Sequence, residues 1–82
     1  MTDINQINEE NNRHGYWEHY GVDGNLFFKG HYDNGVMIGY WECYHGNGNL
    51  LYKGNYDNNG NRIGYWEWYY DNGELEEQIF YS

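Results

Sequence analysis

Six short blocks of this sequence alternate aromatic or aliphatic residues with polar ones, and glycine, asparagine or aspartate bounds the blocks. Alternation with a period of two places successive side chains on opposite faces of an extended chain, so it predicts half-buried β-strands. No block repeats its apolar residues at the three- and four-residue spacing of an amphipathic helix. The pattern therefore predicts an all-β chain.

Five dipeptides that favour tight turns separate the blocks: Asp23-Gly24, Asn34-Gly35, Asn47-Gly48, Asn59-Gly60 and Asn72-Gly73. Asn-Gly and Asp-Gly supply the positive φ angles that short hairpin connections need. Five such turns join six strands, and the simplest topology for them is an antiparallel meander.

The blocks form three copies of one unit. Gly-Tyr-Trp-Glu begins at Gly15, Gly39 and Gly64. A second block that contains leucine and ends in Gly-x-Tyr begins at Gly24 and Gly48, and a degenerate copy begins at Gly73. Self-similarity at a fixed period is typical of repeat architectures, whose terminal copies are atypical because they cap the stack.

Tight turns fix which residues lie opposite each other within a hairpin. A two-residue turn at Asp23-Gly24 pairs Trp17 with Gly30 and Glu18 with Lys29. The next hairpin gives the same pairs at equivalent positions: Trp41 with Gly54 and Glu42 with Lys53. An aromatic ring covering a cross-strand glycine and a pair of opposite charges are both favourable, so the two hairpins support one register.

Extending this register through the connections between hairpins places Phe28 beside Trp41 and Tyr52 beside Trp66. The side chains then separate onto two faces. The aromatic face holds Trp17, Leu26, Phe28, Trp41, Leu50, Tyr52, Trp66, Trp68, Leu75 and Ile79. The other face holds Tyr16, Glu18, Tyr20, Lys29, Tyr40, Glu42, Tyr44, Lys53, Tyr65, Glu67 and Tyr69. We expect the aromatic face to need a cover, because the sheet is otherwise one layer thick.

Chain length and composition suggest one small domain. The chain has 82 residues, and its 11 Tyr, 4 Trp and 3 Phe supply the large side chains that so small a core requires. We place the repeat domain at residues 15–82 and interpret residues 1–14 as a polar segment, partly disordered or forming a short extension. That segment is too polar to cover the aromatic face, so the sheet is expected to curl, to form a homodimer or to meet a partner.

Charge and cysteine content indicate where the protein acts and what it meets. With 13 acidic and 4 basic residues, the formal net charge is −9. Nucleic-acid phosphates and anionic lipids should repel this chain, whereas a protein with a basic surface should attract it. The single Cys43, the lack of a long apolar run and the absence of a signal-peptide pattern favour the cytoplasm, or a host's cytoplasm if the chain is viral.

Residues able to carry catalysis occur without the required patterns. His14, His19, His31 and His45 lack metal-ligand spacing, Cys43 has no second cysteine, and terminal Ser82 is the one serine. We therefore expect no catalytic residue, no metal site and no cofactor, and a protein that is not an enzyme.

Two groups of residues are candidates for binding. The partner-binding candidates are acidic residues and tyrosines: Tyr16, Glu18, Tyr40, Glu42, Tyr65, Glu67, Tyr69, Glu74, Glu76 and Glu77. Glu18 and Glu42 could instead serve only to pair with Lys29 and Lys53, whereas Glu67 faces Gln78, so the C-terminal hairpin is the first choice for a basic partner. The aromatic candidates for a core or a dimer interface are Trp17, Phe28, Trp41, Tyr52, Trp66 and Trp68.

The pattern Gly-x-Trp-x-x-Tyr followed by Gly-x-Leu-x-x-x-Gly-x-Tyr resembles MORN-type repeats, most of all the bacterial MORN-repeat-variant proteins, often labelled antitoxin-like. Its residues are Gly15, Trp17, Tyr20, Gly24, Leu26, Gly30 and Tyr32; Gly39, Trp41, Tyr44, Gly48, Leu50, Gly54 and Tyr56; and Gly64, Trp66, Tyr69, Gly73, Leu75 and Tyr81. The resemblance implies three successive β-hairpins that form a binding or scaffolding module.

Three functions are compatible with these features. The first is an inhibitor or neutraliser of a basic, nucleic-acid-handling protein, antitoxin-like or of the anti-defence and anti-CRISPR kind. The second is a scaffolding repeat protein that self-associates through its aromatic face. The third is a choline- or glycan-binding repeat protein, since hairpins rich in Trp and Tyr can cage such ligands.

Overall fold

The structure, a computed structural model, describes residues 4–82. Over that range the chain forms one antiparallel sheet whose seven strands follow each other in chain order. The strands are β1 Gln6–Ile7, β2 Arg13–Tyr20, β3 Leu26–Asp33, β4 Val36–Tyr44, β5 Leu50–Tyr56, β6 Arg62–Tyr69 and β7 Leu75–Tyr81. The predicted all-β meander is confirmed. Within the described range, no helix has the length and apolar character needed to cross a membrane.

A seventh strand, β1, precedes the six predicted ones. The turn from β1 into β2, residues 8–12, has the same hydrogen bond as the turn at residues 57–61. The N–H of Asn8 donates to the carbonyl oxygen of Asn12 at 2.9 Å, and the N–H of Asp57 donates to that of Asn61 at 2.8 Å. The sequence carried this signal, because Asn12-Arg13 matches Asn61-Arg62 at the same distance before Gly-Tyr-Trp-Glu. The described part of the N-terminal segment is therefore half a repeat, and the sheet starts before residue 15. Residues 1–3 of the segment predicted at 1–14 lie outside the described residues.

Within each hairpin the register is the predicted one, with Trp17 opposite Gly30 and Trp41 opposite Gly54. Between hairpins it shifts by two residues: His31 pairs with Ile38, whereas Lys29 pairs with Glu42. The same shift separates β5 from β6. A shift of two leaves every side chain on its predicted face, since alternation has a period of two.

The shift corrects two predicted neighbours. Phe28 pairs with Cys43 rather than with Trp41, and Tyr52 pairs with Trp68 rather than with Trp66. The extra residues that cause it contain Gly39 in β4 and Gly64 in β6, with φ angles of 69° and 71° that favour glycine. The ring of Phe28 still lies beside that of Trp41, with centroids 5.8 Å apart, so the predicted contact survives the change of partner.

Tryptophan rings that lie on glycine form the centre of the sheet. A Cβ atom at Gly30 would fall 2.1 Å from the ring of Trp41, and one at Gly54 would fall 2.1 Å from the ring of Trp66. Each ring thus covers the glycine of the preceding strand, not the glycine of its own hairpin as predicted. Ile79 takes the equivalent position in β7, opposite Trp66, and no strand follows it among the described residues.

Neighbouring side chains cover these rings, so the expected need for a separate cover is wrong for the central tryptophans. Trp41 is 1% exposed and Trp66 is 0% exposed in the single chain. The ring of Tyr56 lies 5.0 Å from that of Trp66, and the guanidinium of Arg62 lies 4.8 Å from the same ring. A sheet one layer thick therefore buries two of its four tryptophans within a single chain.

The leucines of the repeats differ from their predicted placement on the aromatic face. A bulge near each hairpin turn inserts one residue and pairs Leu26, Leu50 and Leu75 with Tyr20, Tyr44 and Tyr69. Directly opposed residues share a face, so these leucines lie with the tyrosines. One inserted residue reverses the faces on which the side chains between the bulge and the turn lie. A prediction based on regular alternation does not include this reversal.

Substituting alanine for Gly54 should destabilise the protein by about 3 kcal/mol, because the new Cβ would force the Trp66 ring off the backbone. Gly46→Ala is the matched control, since a Cβ there meets nothing within 4 Å. Urea unfolding followed by tryptophan fluorescence measures both variants. Equal stability of the two variants would contradict this account of the core.

Candidate functional site

A row of alternating charges crosses the face opposite the tryptophans. Backbone pairing aligns one residue from each strand between β2 and β7. In order across the sheet they are Glu18, Lys29, Glu42, Lys53, Glu67 and Gln78. We call this set the charge row. It contains three of the predicted partner-binding residues, and the structure does bring them together.

The ion pairs in the charge row differ from the predicted ones. Lys29 forms its ion pair with Glu42, with Nζ 3.5 Å from Oε1, and not with Glu18 as predicted. Lys53 makes the same contact with Glu67, which the sequence had left without a lysine. Because of the register shift each lysine lies opposite a glutamate on both neighbouring strands. It extends toward the later strand, where Nζ of Lys29 also lies 5.9 Å from the ring of Tyr44.

Tyrosine hydroxyls donate hydrogen bonds to the carboxylate oxygens of the charge row. Tyr16 and Tyr20 each donate to a different oxygen of Glu18, at 2.9 and 2.7 Å. Tyr40 and Tyr44 do the same for Glu42. At Glu67 the donors are Tyr69 and the amide of Gln78, at 2.7 and 2.8 Å. Sequence reasoning had placed these tyrosines on the right face but had not foreseen that they satisfy the carboxylates.

These contacts shift the acid–base equilibria of both partners. Hydrogen bonds from Tyr20 and Tyr16 hold the pKa of Glu18 below its ordinary value. Burial, and then the hydrogen bond to Glu18, raises the pKa of Tyr16 to about 12. At Glu42 burial opposes ionisation, but the hydroxyls of Tyr44 and Tyr40 outweigh it and the pKa is again lowered. Glu18 and Glu42 are therefore ionised at neutral pH and bonded within the chain, which supports their structural interpretation.

The carboxylates of the last hairpin have a different environment. Among the described residues, Glu74, Glu76 and Glu77 have side chains that make no hydrogen bond or ion pair. All three are exposed, and the strand that carries two of them contains neither Lys nor Arg. These charges remain available to a cation from outside the chain.

Exposed aromatic rings belong to the same hairpin as these carboxylates. The rings of Tyr65 and Phe80 contact each other with centroids 4.9 Å apart, and the residues are 63% and 59% exposed. Phe80 was missed as a site residue; its pairing with Tyr65, which follows from the predicted register, could have found it. We call Tyr65, Glu74, Glu76, Glu77 and Phe80 the β7 surface. Its residues share one hairpin but not one face, because Glu77 pairs with Trp68 on the tryptophan face whereas Tyr65 pairs with Phe80 on the opposite face.

His19 and Cys43, residues of types able to carry catalysis, are packed side chains. His19 stacks on Phe28 with centroids 4.0 Å apart, and burial lowers the pKa of its ring. Cys43 is buried, and burial raises the pKa of its thiol, which makes the thiol a poor nucleophile. Over residues 4–82, no three His, Cys, Asp or Glu side chains converge as a metal site would require.

The aromatic face offers little room for a choline or sugar cage. Such a cage needs accessible ring faces, whereas Trp41 and Trp66 are buried against glycine on one side and under tyrosine on the other. An arginine from within the chain already occupies the cation position over Trp17, 5.0 Å from the ring, as Arg62 does over Trp66. The rings of this face serve the fold.

A sequence model of the family described as MORN repeat variant matches residues 37–58 and 62–82, which is more than half of the chain. Each match covers one hairpin, β4–β5 or β6–β7, and begins at the residue two positions before the Gly-Tyr-Trp-Glu block. The hairpin β2–β3 has the same pairing of tryptophan with glycine. No curated protein and no solved structure matches the chain.

Replacing Tyr44 by phenylalanine should cost about 1 kcal/mol at neutral pH, because Glu42 loses a hydroxyl donor. A lowered carboxylate pKa contributes stability above the unfolded value, 4.5, that is lost as pH falls through the folded pKa. A raised tyrosine pKa contributes stability below its unfolded value, 10.0, that is lost as pH rises through the folded pKa. The difference between wild type and variant should thus be largest between these two values.

Urea unfolding at a series of pH values measures this difference. Tyr70→Phe is the control, because no hydrogen bond of the Tyr70 hydroxyl occurs among the described residues. A difference for Tyr44→Phe that stays constant from acid to alkaline pH would show that the hydroxyl and Glu42 are not coupled.

Proposed function

The chain belongs to the MORN repeat variant family, and from that premise we propose that it is a non-enzymatic module that binds a partner protein through a basic surface. Repeats of this family build association modules and generally lack catalytic function. A meander of such repeats offers a rigid, wide surface on which side chains from successive hairpins lie side by side.

The observation that carries the proposal is the difference between the charge row and the β7 surface. Glutamates of the charge row are satisfied by tyrosine hydroxyls and lysines within the chain. The carboxylates of Glu74, Glu76 and Glu77 have no such partners among the described residues, and the same hairpin carries the exposed rings of Tyr65 and Phe80. Aromatic side chains with charges around them are typical of the energetically dominant part of a protein interface.

Charge favours a basic protein over a nucleic acid or an anionic membrane as the partner. The net charge of −9 gives a long-range repulsion from phosphates and an attraction to clustered Lys and Arg. Each lysine of the chain is engaged with a glutamate, and Arg13 and Arg62 lie over tryptophan rings. Few cations therefore remain to hold a phosphate group.

We propose further that this partner handles nucleic acid and that the chain inhibits or neutralises it, in the manner of an antitoxin or an anti-defence protein. A basic groove that binds nucleic acid is lined with cations and stacking positions for bases. The β7 surface offers carboxylates and stackable rings on one hairpin, so it complements the same groove. Occupation of the groove by the chain would exclude the nucleic acid.

Reversing the charge of β7 should weaken binding to a basic partner. Glu76→Lys with Glu77→Lys should lower affinity for a fluorescent oligoarginine probe by about tenfold at low salt, with a smaller effect at 0.15 M salt, because screening shortens the range of surface charges to about 8 Å. Fluorescence anisotropy measures the affinity.

The double variant Glu9→Lys with Glu10→Lys is the matched control. It changes the net charge by the same amount in an exposed turn near β1, at the opposite end of the sheet. Equal weakening by the two pairs would show that binding follows total charge and not the β7 surface. The inhibitory role is tested with proteins captured from a host lysate: single-stranded DNA should compete with the chain for them, and failure to compete would contradict that role.

A further inference from the structure

Neighbouring hairpins of the sheet meet at their turns, and the two places where they meet are not alike. Between the second and third hairpins the contact is closed by side chains from the earlier turn. Nε2 of His45 donates to the carbonyl oxygen of Tyr69 at 2.8 Å. The amides of Asn47 and Asn49 both donate to the carbonyl oxygen of Asp71, each at 2.8 Å.

The corresponding place between the first and second hairpins is open, because two residues differ between the repeats. Gly21 stands where the second repeat has His45, so no ring reaches across. Asp23 stands where the second repeat has Asn47, and its carboxylate accepts from the backbone and side-chain N–H groups of Asn25 instead. Asn25 extends toward the carbonyl oxygen of Gly46 at 3.5 Å, a long contact.

A cavity of about 220 Å³ results at this place. Its apolar walls are Val22, Leu26, Phe27 and Tyr44, and His45 and Gly46 close its far side. Val22 is fully exposed and Phe27 is 49% exposed, and the cavity is open to solvent. We call it the Gly21 pocket.

The equivalence of the repeats shows which polar atoms the Gly21 pocket presents. The carbonyl of Tyr44 corresponds to that of Tyr69, which accepts the imidazole N–H of His45 in the closed contact. The carbonyl of Gly46 corresponds to that of Asp71, which accepts two amide donors there. A group that fits the pocket is therefore flat, as imidazole is, and carries N–H donors for these carbonyl oxygens.

Charge distinguishes among the flat N–H donors. The carboxylate of Asp23 lines the pocket, and the chain as a whole carries a net charge of −9, so a cation is preferred. A guanidinium is planar, permanently charged, stacks on aromatic rings such as that of Phe27 and has five N–H donors. An ammonium group has the charge but lacks the plane.

We propose that the Gly21 pocket is an anchor site for an arginine side chain of the basic partner. This inference rests on the proposed function, since it assigns to that partner one particular residue type. The guanidinium takes the place that the imidazole of His45 has in the next repeat, with its N–H groups toward the carbonyls of Tyr44 and Gly46. The β7 surface and the Gly21 pocket would then contact the partner at two separate points of one sheet.

Methylguanidinium is the probe for the isolated pocket, followed by two-dimensional amide NMR of the full chain. Saturable shifts are expected at the amides of Gly21, Asn25 and Gly46. Methylammonium should bind about tenfold more weakly, the effect of one lost charge-assisted hydrogen bond. Equal binding of the two cations would show a general electrostatic attraction and overturn the proposal.

Two variants test the pocket in opposite directions. Gly21→His should abolish the shifts, because it supplies the ring that closes the second contact. The atom nearest to the new Cβ is a carboxylate oxygen of the Asp23 side chain at 3.2 Å, and the nearest backbone atom beyond the adjacent residues lies at 3.8 Å. His45→Gly with Asn47→Asp, which reproduces both differences of the first contact, should open the second contact and create new shifts at Tyr69 and Asp71. Tyr70→His is the control, because it places a histidine at the equivalent position of the last turn. No hairpin follows that turn in the described chain.

The outcomes separate this proposal from the function on which it rests. If Gly21→His leaves methylguanidinium binding unchanged, the pocket is not the site, whatever the oligoarginine probe does. If the pocket binds methylguanidinium but charge reversal on β7 has no effect on oligoarginine, the pocket stands and the assignment of the β7 surface fails.

Discussion

Contact between an indole ring and a backbone without a side chain is the constraint on which this sheet depends. Trp41 and Trp66 lie flat on Gly30 and Gly54 of the preceding strands, which leaves both rings buried although the sheet has a single layer. The register shift between hairpins follows from this arrangement. Opposite each glycine, the strand that carries the tryptophan contains two more residues than the preceding strand, and these bring the ring over the glycine. The shift in turn aligns each lysine with two glutamates and thereby produces the charge row.

A chain that buries its core in this way leaves its other face free for polar groups. The tyrosines that flank Glu18 and Glu42 extend along the same face and donate to both carboxylate oxygens, which holds the side chains in one geometry. Such ordered side chains lose little entropy when another molecule contacts them. Function in this protein is therefore expected where the internal pairing stops, at the strand and turns that depart from the repeat.

Local signals account for what could be predicted from the sequence. Alternation and Asn-Gly turns determine strands and hairpin registers, so the meander, the two faces and the pairing of Trp17 with Gly30 were accessible. The register shift between hairpins was not accessible from the sequence, because it depends on the position of the Trp41 ring over the preceding strand. The reach of Lys29 toward Glu42 followed from that shift and was missed with it.

Departures from the repeat were harder to interpret from sequence than the repeat itself. The match of Asn12-Arg13 to Asn61-Arg62 indicated the N-terminal half-repeat, but the polar composition around it concealed a strand. Gly21 aligns with His45 in the sequence, yet a missing side chain becomes a pocket only when the neighbouring turn is in place. Comparison of the copies position by position would have revealed the Asn12-Arg13 match and the substitution of glycine for histidine at position 21, but not the pocket itself.

Ile79 has a consequence for assembly. An open meander could in principle continue from molecule to molecule, the last strand of one copy receiving the first full hairpin of the next. Trp17 of an incoming copy would then need a bare backbone on which to lie, and the branched side chain of Ile79 occupies that space. At the other end of the sheet, β1 already pairs with β2 and covers the edge that an incoming copy would have to present. Both ends of the meander therefore oppose edge-to-edge continuation from copy to copy.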